Sequence, residues 1–225
     1  MAAHVSRNNP QGVEPPRGTA VFVDRDGVIN EERRAYVTRW SEFRFLPGAL
    51  DALVALSQTG QRVLVITNQS AIHRGLATHA DVRRLHRRMV AAVTAAGGRI
   101  DGIYVCPHRP DEGCDCRKPR PGLLLRAAAQ HRLDLARCYL IGDKLTDIEA
   151  GLAVGCRCIL VRTGLDDTAE FDRPETGPHA FRCFGDIRTA VDYILQSAAL
   201  DARLRDAAAS AAQGPRAAPA RPLRT

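Results

Sequence analysis

Short apolar runs recur along the chain, separated by longer stretches whose apolar positions fall three and four residues apart. The runs are TAVFVD (19–24), RVLVIT (62–67), DGIYVC (101–106), CYLIGD (138–143) and RCILV (157–161). A strand with one face in water would alternate apolar with polar. A continuous apolar run therefore predicts a strand covered on both faces. The stretches between read as helices. PGALDALVALSQTG (47–60) opens on Pro-Gly, carries Leu50, Leu53, Val54 and Leu56, and stops at Gly60. THADVRRLHRRMVAAVTAAGG (78–98) opens on Thr78, with Asp81 placed to complete a capping box, and lines Val82, Leu85, Met89, Val90 and Val93 along one face. PGLLLRAAAQHRL (121–133), TDIEAGLAVG (146–155) and DIRTAVDYILQSAAL (186–200) complete the helices, and HAFRCF (179–184) predicts an edge strand. This βαβα rhythm predicts an α/β fold, with a central parallel sheet between two layers of helices.

The ends of the chain lack this rhythm. Residues 1–18 hold Asn-Pro, Pro-Pro and Arg-Gly and predict a disordered arm. Residues 199–225, rich in Ala, Arg and Pro, predict a tail that begins as a helical extension and frays. One domain over 19–198 is expected between them, which suits a chain of 225 residues. The formal net charge is +7, and about half of that excess lies in the two terminal segments. No basic stretch is interleaved with aromatics, so binding to nucleic acid is not expected. No apolar run reaches membrane-spanning length and the N-terminus lacks the apolar core of a signal peptide. A cytoplasmic protein without membrane partners is the expectation.

In parallel sheets ligands gather beyond the carboxyl ends of the strands, and that is where the polar residues of this chain collect. Asp24 and Asp26 follow the first strand. Thr67, Asn68, Gln69 and Ser70 follow the second. Arg117 and Lys118 come after the third, and Asp143 and Lys144 after the fourth, with Asp147 nearby. The set suits phosphoryl transfer. Asp24 and Asp143 can hold Mg²⁺ through hard oxygen ligands. Asp24 can attack phosphorus to form an aspartyl phosphate. Asp26 can protonate the leaving oxygen and later take a proton from water. That role needs a raised pKa, which neighbouring negative charge can supply. Thr67 and Lys118 can bind phosphoryl oxygens, and residues 68–70 can cradle an anion. Asp147 reads equally as a first-turn acid facing the helix dipole or as an indirect contributor at the metal.

Three of the seven cysteines cluster with a histidine in CPHRPDEGCDC: Cys106, His108, Cys114 and Cys116. Three thiolates and one imidazole within eleven residues match a closed tetrahedral Zn²⁺ site. The knot would fix the loop carrying Arg117 and Lys118. Cys138, Cys156, Cys158 and Cys183 lie in or beside apolar runs and read as small buried hydrophobes.

DRDGVIN, TNQS, CRKPRPG and IGDKLTD resemble, in order, the four motifs of the haloacid dehalogenase-type (HAD) phosphatases. The likeness is greatest to the branch acting on D-glycero-D-manno-heptose 1,7-bisphosphate and histidinol phosphate, and it covers about residues 19–195. The resemblance implies a Rossmann-like three-layer core with little or no cap domain and a structural zinc in the Cys/His loop. It implies Asp24 as nucleophile and Asp26 as general acid/base. Mg²⁺ would sit on Asp24, the main-chain carbonyl of Asp26 and Asp143. Thr67 and Lys118 would steady the phosphoryl group, while Arg117 and Lys144 would contact substrate. Two segments depart from the branch. TNQSAIHRG carries Ala71 and His73 where a Gly and a small residue are usual, so that His73 would face the substrate. EERRAY (31–36) replaces a short Gly-containing loop. Both lie where the sugar would sit. The expected activity is removal of the C7 phosphate of the heptose bisphosphate by a monomer. Histidinol phosphate or another small sugar or polyol phosphate is the alternative substrate. The rival of another class is an idle phosphate- or nucleic-acid-binding module.

Overall fold

The computed structural model describes residues 18–165 and 181–212. The expected arm up to residue 17, the start of the 179–184 run and the last part of the tail lie outside them. The chain divides into two compact units, residues 1–192 and 193–225.

Six strands form the sheet: β1 (Ala20–Val23), β2 (Arg62–Asn68), β3 (Gly102–Cys106), β4 (Tyr139–Gly142), β5 (Arg157–Val161) and β6 (Arg182–Phe184). All pairings are parallel, in the order β3-β2-β1-β4-β5-β6. The expected edge strand β6 does close one side. The connecting helices are α1 (Ala49–Gln58), α2 (His79–Ala95), α3 (Gly122–His131), α4 (Leu145–Leu152) and α5 (Ile187–Ala212). β1 and β4 are buried at every position, as continuous apolar runs require.

Alternate residues along each strand serve opposite layers. Phe22, Leu64, Ile66, Tyr104, Leu140 and Leu160 pack with Leu123, Leu124 and Ala127 of α3 and Ile148 of α4. Val21, Val23, Val63 and Val65 are buried on the other face, which α1 covers with α2 beside it. Thr78 and Asp81 form the expected capping box on α2. Among the described residues no inserted domain interrupts the core, and no helix is long and apolar enough to cross a membrane.

α5 continues past Leu200 to Ala212, into the stretch expected to begin as a helical extension. The Ala, Leu and Arg residues there are strong helix formers.

Candidate active site

The chain adds β2 and then β3 on one side of β1, and β4, β5 and β6 on the other. The reversal opens a crevice between the ends of β1 and β4. Asp24 leaves β1 there, its N–H bonded to the Ile141 carbonyl at 2.9 Å, and Asp143 leaves β4 beside it. Two glycines let the backbone close around Asp143. A Cβ on Gly27, whose φ is +81°, would lie 2.3 Å from Asp143 Oδ2, and one on Gly164 would lie 2.1 Å from it. Only residues without a side chain fit both places.

Asp24, Asp143 and Asp147 bring carboxylate oxygens within 4.8 Å of one another, all buried. Neither oxygen of Asp143 has a hydrogen-bond partner among the described residues. Burial, followed by the charges of Asp24 and Asp147, pushes the Asp143 carboxyl up to about 9. Buried carboxylates with unmet lone pairs fit a hard divalent cation such as Mg²⁺.

Lys118 enters this cluster from the segment before α3 and is 3% exposed. Its ammonium meets Asp24 Oδ1 at 2.8 Å, Asp147 Oδ1, and the Ile66 carbonyl at 2.9 Å. The ammonium thus donates to the carbonyl and is ion-paired to both carboxylates. Burial works against the charge on Lys118, but the two carboxylates outweigh it and hold the group above the usual lysine range. Asp147 also accepts from the Lys144 N–H at 3.1 Å through its other oxygen, capping α4. The same side chain thus caps the helix, as the first of its two sequence readings expects, and stands in the carboxylate cluster with Asp24 and Asp143.

Asp26 departs from expectation. Its proton-transfer role called for a raised pKa, and the surroundings lower it. Burial raises it, but the adjacent Arg25 guanidinium outweighs burial, with hydrogen bonds from Arg25, Asn30 and Gln69 adding to the fall. Arg25 Nη2 donates to both Asp26 oxygens, at 2.7 and 2.6 Å, Asn30 Nδ2 donates to Oδ1 at 2.9 Å, and Gln69 Nε2 donates to Oδ2 at 2.7 Å. Arg25 is itself fully buried. Its Nη1 lies 3.2 Å from His86 Nε2 on α2, and its Nη2 donates to the Val37 carbonyl. A guanidinium only donates, so His86 Nε2 accepts and the ring is neutral. Burial, then the Arg25 charge, holds His86 down at about 3.

The residues after β2 divide their tasks. Thr67 is buried and accepts from Gln69 Nε2 at 2.9 Å. Asn68 exchanges hydrogen bonds with the main chain of Lys118, 3.2 Å each way. The Asn68 and Gln69 side chains are thus engaged with Lys118 and Asp26, and of the backbone N–H groups expected to cradle an anion, that of Gln69 donates to the Cys106 carbonyl at 2.7 Å. Ser70 Oγ lies 3.5 Å from the Tyr36 hydroxyl. Lys144 pairs with Glu32, a contact no sequence pattern announced.

The Cys/His loop folds into a tight cluster. Sγ–Sγ distances are 3.7 Å for Cys106–Cys114 and 3.6 Å for Cys114–Cys116. His108 Nδ1 lies 3.5 Å from Cys106 Sγ and 3.3 Å from Cys116 Sγ. A tetrahedron with metal–sulfur bonds of about 2.3 Å has edges of roughly 3.7 Å, so the donor set fits Zn²⁺. Arg117 Nη1 donates to the His108 carbonyl at 3.1 Å, tying the loop to the segment before α3. His73, expected to face the substrate, instead pairs through Nδ1 with Glu112 at 2.7 Å and packs edge-on against His108, with centroids 4.8 Å apart.

Comparison with known proteins agrees with this geometry. A HAD-hydrolase-like family model matches residues 115–189. The chain is 45% identical over 157 residues to D-glycero-beta-D-manno-heptose-1,7-bisphosphate 7-phosphatase of Pseudomonas putida, covering 69% of this chain and 90% of that one. The enzyme of the same name from Pseudomonas aeruginosa is 42% identical over 144 residues, covering 64% of this chain and 81% of the relative. Among solved structures the chain resembles D,D-heptose 1,7-bisphosphate phosphatase from B. bronchiseptica complexed with magnesium and phosphate. There the TM-score is 0.74 at 37% identity, over 80% of this chain and 99% of that one. The chain belongs to the HAD-type family of D-glycero-beta-D-manno-heptose-1,7-bisphosphate 7-phosphatases.

Proposed function

We propose that this chain is a Mg²⁺-dependent phosphomonoesterase that releases the C7 phosphate of D-glycero-D-manno-heptose 1,7-bisphosphate and leaves heptose 1-phosphate. The observation that carries the reading is Asp24 set between Lys118 and the unpartnered Asp143 at the β1/β4 crevice. Asp24 attacks phosphorus, and the bond from phosphorus to the sugar oxygen breaks. Asp26 gives its proton to that oxygen, then accepts one from the water that cleaves the aspartyl phosphate. The phosphate dianion opposes the Arg25 charge that holds Asp26 low, so Asp26 gains basicity as substrate arrives. Thr67 and Lys118 bind phosphoryl oxygens, while Ser70, Arg117 and Lys144 line the substrate side. Gln69 and Asn68 act through Asp26 and Lys118. Asp24, the Asp26 main-chain carbonyl and Asp143 would hold Mg²⁺, which when bound offsets the repulsion between carboxylates and phosphate.

Incubation with each anomer of the bisphosphate, followed by ³¹P NMR, is expected to show loss of the C7 resonance alone. Release from C1, or a higher kcat/KM with histidinol phosphate, overturns the substrate assignment. Cys106, His108, Cys114 and Cys116 would hold Zn²⁺ and so fix the loop before Lys118. Metal analysis is expected to find about one zinc per chain, and Cys114→Ser to lose both the zinc and at least about tenfold in kcat/KM. Full activity in zinc-free protein refutes that role.

A further inference from the structure

His86 is the one polar side chain among the buried residues of α2, beside Val82, Leu85, Met89 and Val93. A polar ring in that place needs a partner, and its Nε2 meets Arg25 Nη1 at 3.2 Å. Arg25 carries the contact onward. It is fully buried, and its guanidinium is held on two sides. On one, Nη1 reaches His86 and Nη2 donates to the Val37 carbonyl at 3.2 Å. On the other, Nε donates to Asp26 Oδ1 at 3.2 Å, and Nη2 donates to both Asp26 oxygens. The guanidinium is planar and rigid, so an anchor on one edge fixes the direction in which the other edge presents its donors. The Asp26 side chain is 22% exposed and that of Arg25 fully closed off. The contacts therefore run from the apolar stripe of α2, through Arg25, to a carboxylate with an open side.

The kind of acceptor matters. A carboxylate at position 86 would also take the Nη1 hydrogen, but it would compete with Asp26 for the charge of the guanidinium. A neutral ring fixes the group and leaves that charge to Asp26. Asn30 and Gln69 each hold one Asp26 oxygen, whereas Arg25 spans both. We infer that His86 is a positioning residue for proton transfer: it locks Arg25 from the α2 side and, through it, aims Asp26 at the ester oxygen that leaves. The inference rests on the phosphatase reading of the site, in which Asp26 gives its proton to the sugar oxygen as the bond from phosphorus to that oxygen breaks. A misaimed proton donor loses up to about 10²-fold in rate.

The full-length protein with Mg²⁺ is assayed on two esters that differ in their need for an acid. The alkoxide leaving from C7 of heptose 1,7-bisphosphate needs a proton, and p-nitrophenolate leaves without one. kcat/KM covers the steps up to departure of the leaving group, so it separates this need from the later hydrolysis of the aspartyl phosphate. His86→Leu leaves Nη1 without its acceptor. It is expected to lower kcat/KM at least about tenfold for the heptose bisphosphate and less than about threefold for p-nitrophenyl phosphate. His86→Gln, whose amide oxygen can accept from Nη1, should restore most of the lost ratio. His86→Met removes the acceptor in the same way and replaces His86→Leu if melting curves show the latter unfolded. A merely structural role would weaken both esters alike. Equal losses on the two esters, or an undiminished rate on the bisphosphate, overturn the inference. A parent protein that releases phosphate from neither ester defeats the phosphatase reading and the inference with it. A parent that turns over both, beside a ratio unmoved in the variants, sinks the His86 inference alone.

Discussion

Asp24→Asn is expected to lower phosphate release by at least about 10⁴-fold while leaving the fold as stable as before. The amide keeps the shape of the carboxyl and can still accept from Lys118 Nζ, which lies 2.8 Å from Asp24 Oδ1. It cannot form the acyl phosphate. The stability half of the prediction follows from the electrostatics of the site. Burial pushes the Asp24 carboxyl up to about 6; Lys118 pulls against the rise, and Asp147 and Asp26 add to it. A carboxyl whose folded pKa exceeds its unfolded value of roughly 4 holds its proton more tightly in the fold. Its ionisation draws on the stability of the metal-free protein as pH climbs between those two values. Asparagine has no proton to lose, so the variant's melting temperature at neutral pH should equal or exceed that of the metal-free parent. Single-turnover phosphate release and calorimetry read the two halves separately. Turnover within tenfold of the parent would remove Asp24 from the nucleophile role.

The strand ends were legible because a buried parallel strand writes itself as an apolar run, and whatever stops the run sits at the sheet's edge. Asp24, Thr67, Cys106 and Asp143 were placed by that rule alone, and β1, β2, β3 and β4 prove to be neighbours. What was not legible depends on contacts between distant segments. Arg25 drew no reading of its own between two acids, yet it is fully buried against His86. A signal was present: His86 falls on the same stripe of α2 as Val82, Leu85 and Met89, where a solvated histidine has no place. Glu32 lay in EERRAY, which the resemblance put on the sugar side, but only the fold brings it to Lys144. The pKa of Asp26 was misjudged for a related reason. Negative charge nearby was visible in the sequence, but the two-pronged Arg25 contact that outweighs it was not.

Lys118→Met is expected to cost the metal-free protein about 3–5 kcal/mol and to lower kcat/KM by at least about 10³-fold. Lys118 is the cation that makes a buried group of acids tenable: it touches Asp24 and Asp147, and Asp143 lies within the same cluster. Methionine fills much of the volume and removes the charge, so packing is roughly kept and the loss is electrostatic. Two losses are then separable. The stability cost arises because Asp24 and Asp147 are left without their counter-ion. The activity cost arises because nothing else at that position offers a positive charge to a phosphoryl oxygen. Adding Asp147→Asn to Lys118→Met removes one of the stranded charges while keeping an acceptor for the Lys144 N–H. The double variant should regain a large part of the stability and almost none of the activity. Chemical denaturation without metal and phosphate release with Mg²⁺ distinguish the two effects. If the double variant were as unstable as the single, the ion pair would not be what holds this corner together. If it regained activity, Lys118 would serve the fold of the crevice and not the phosphate within it.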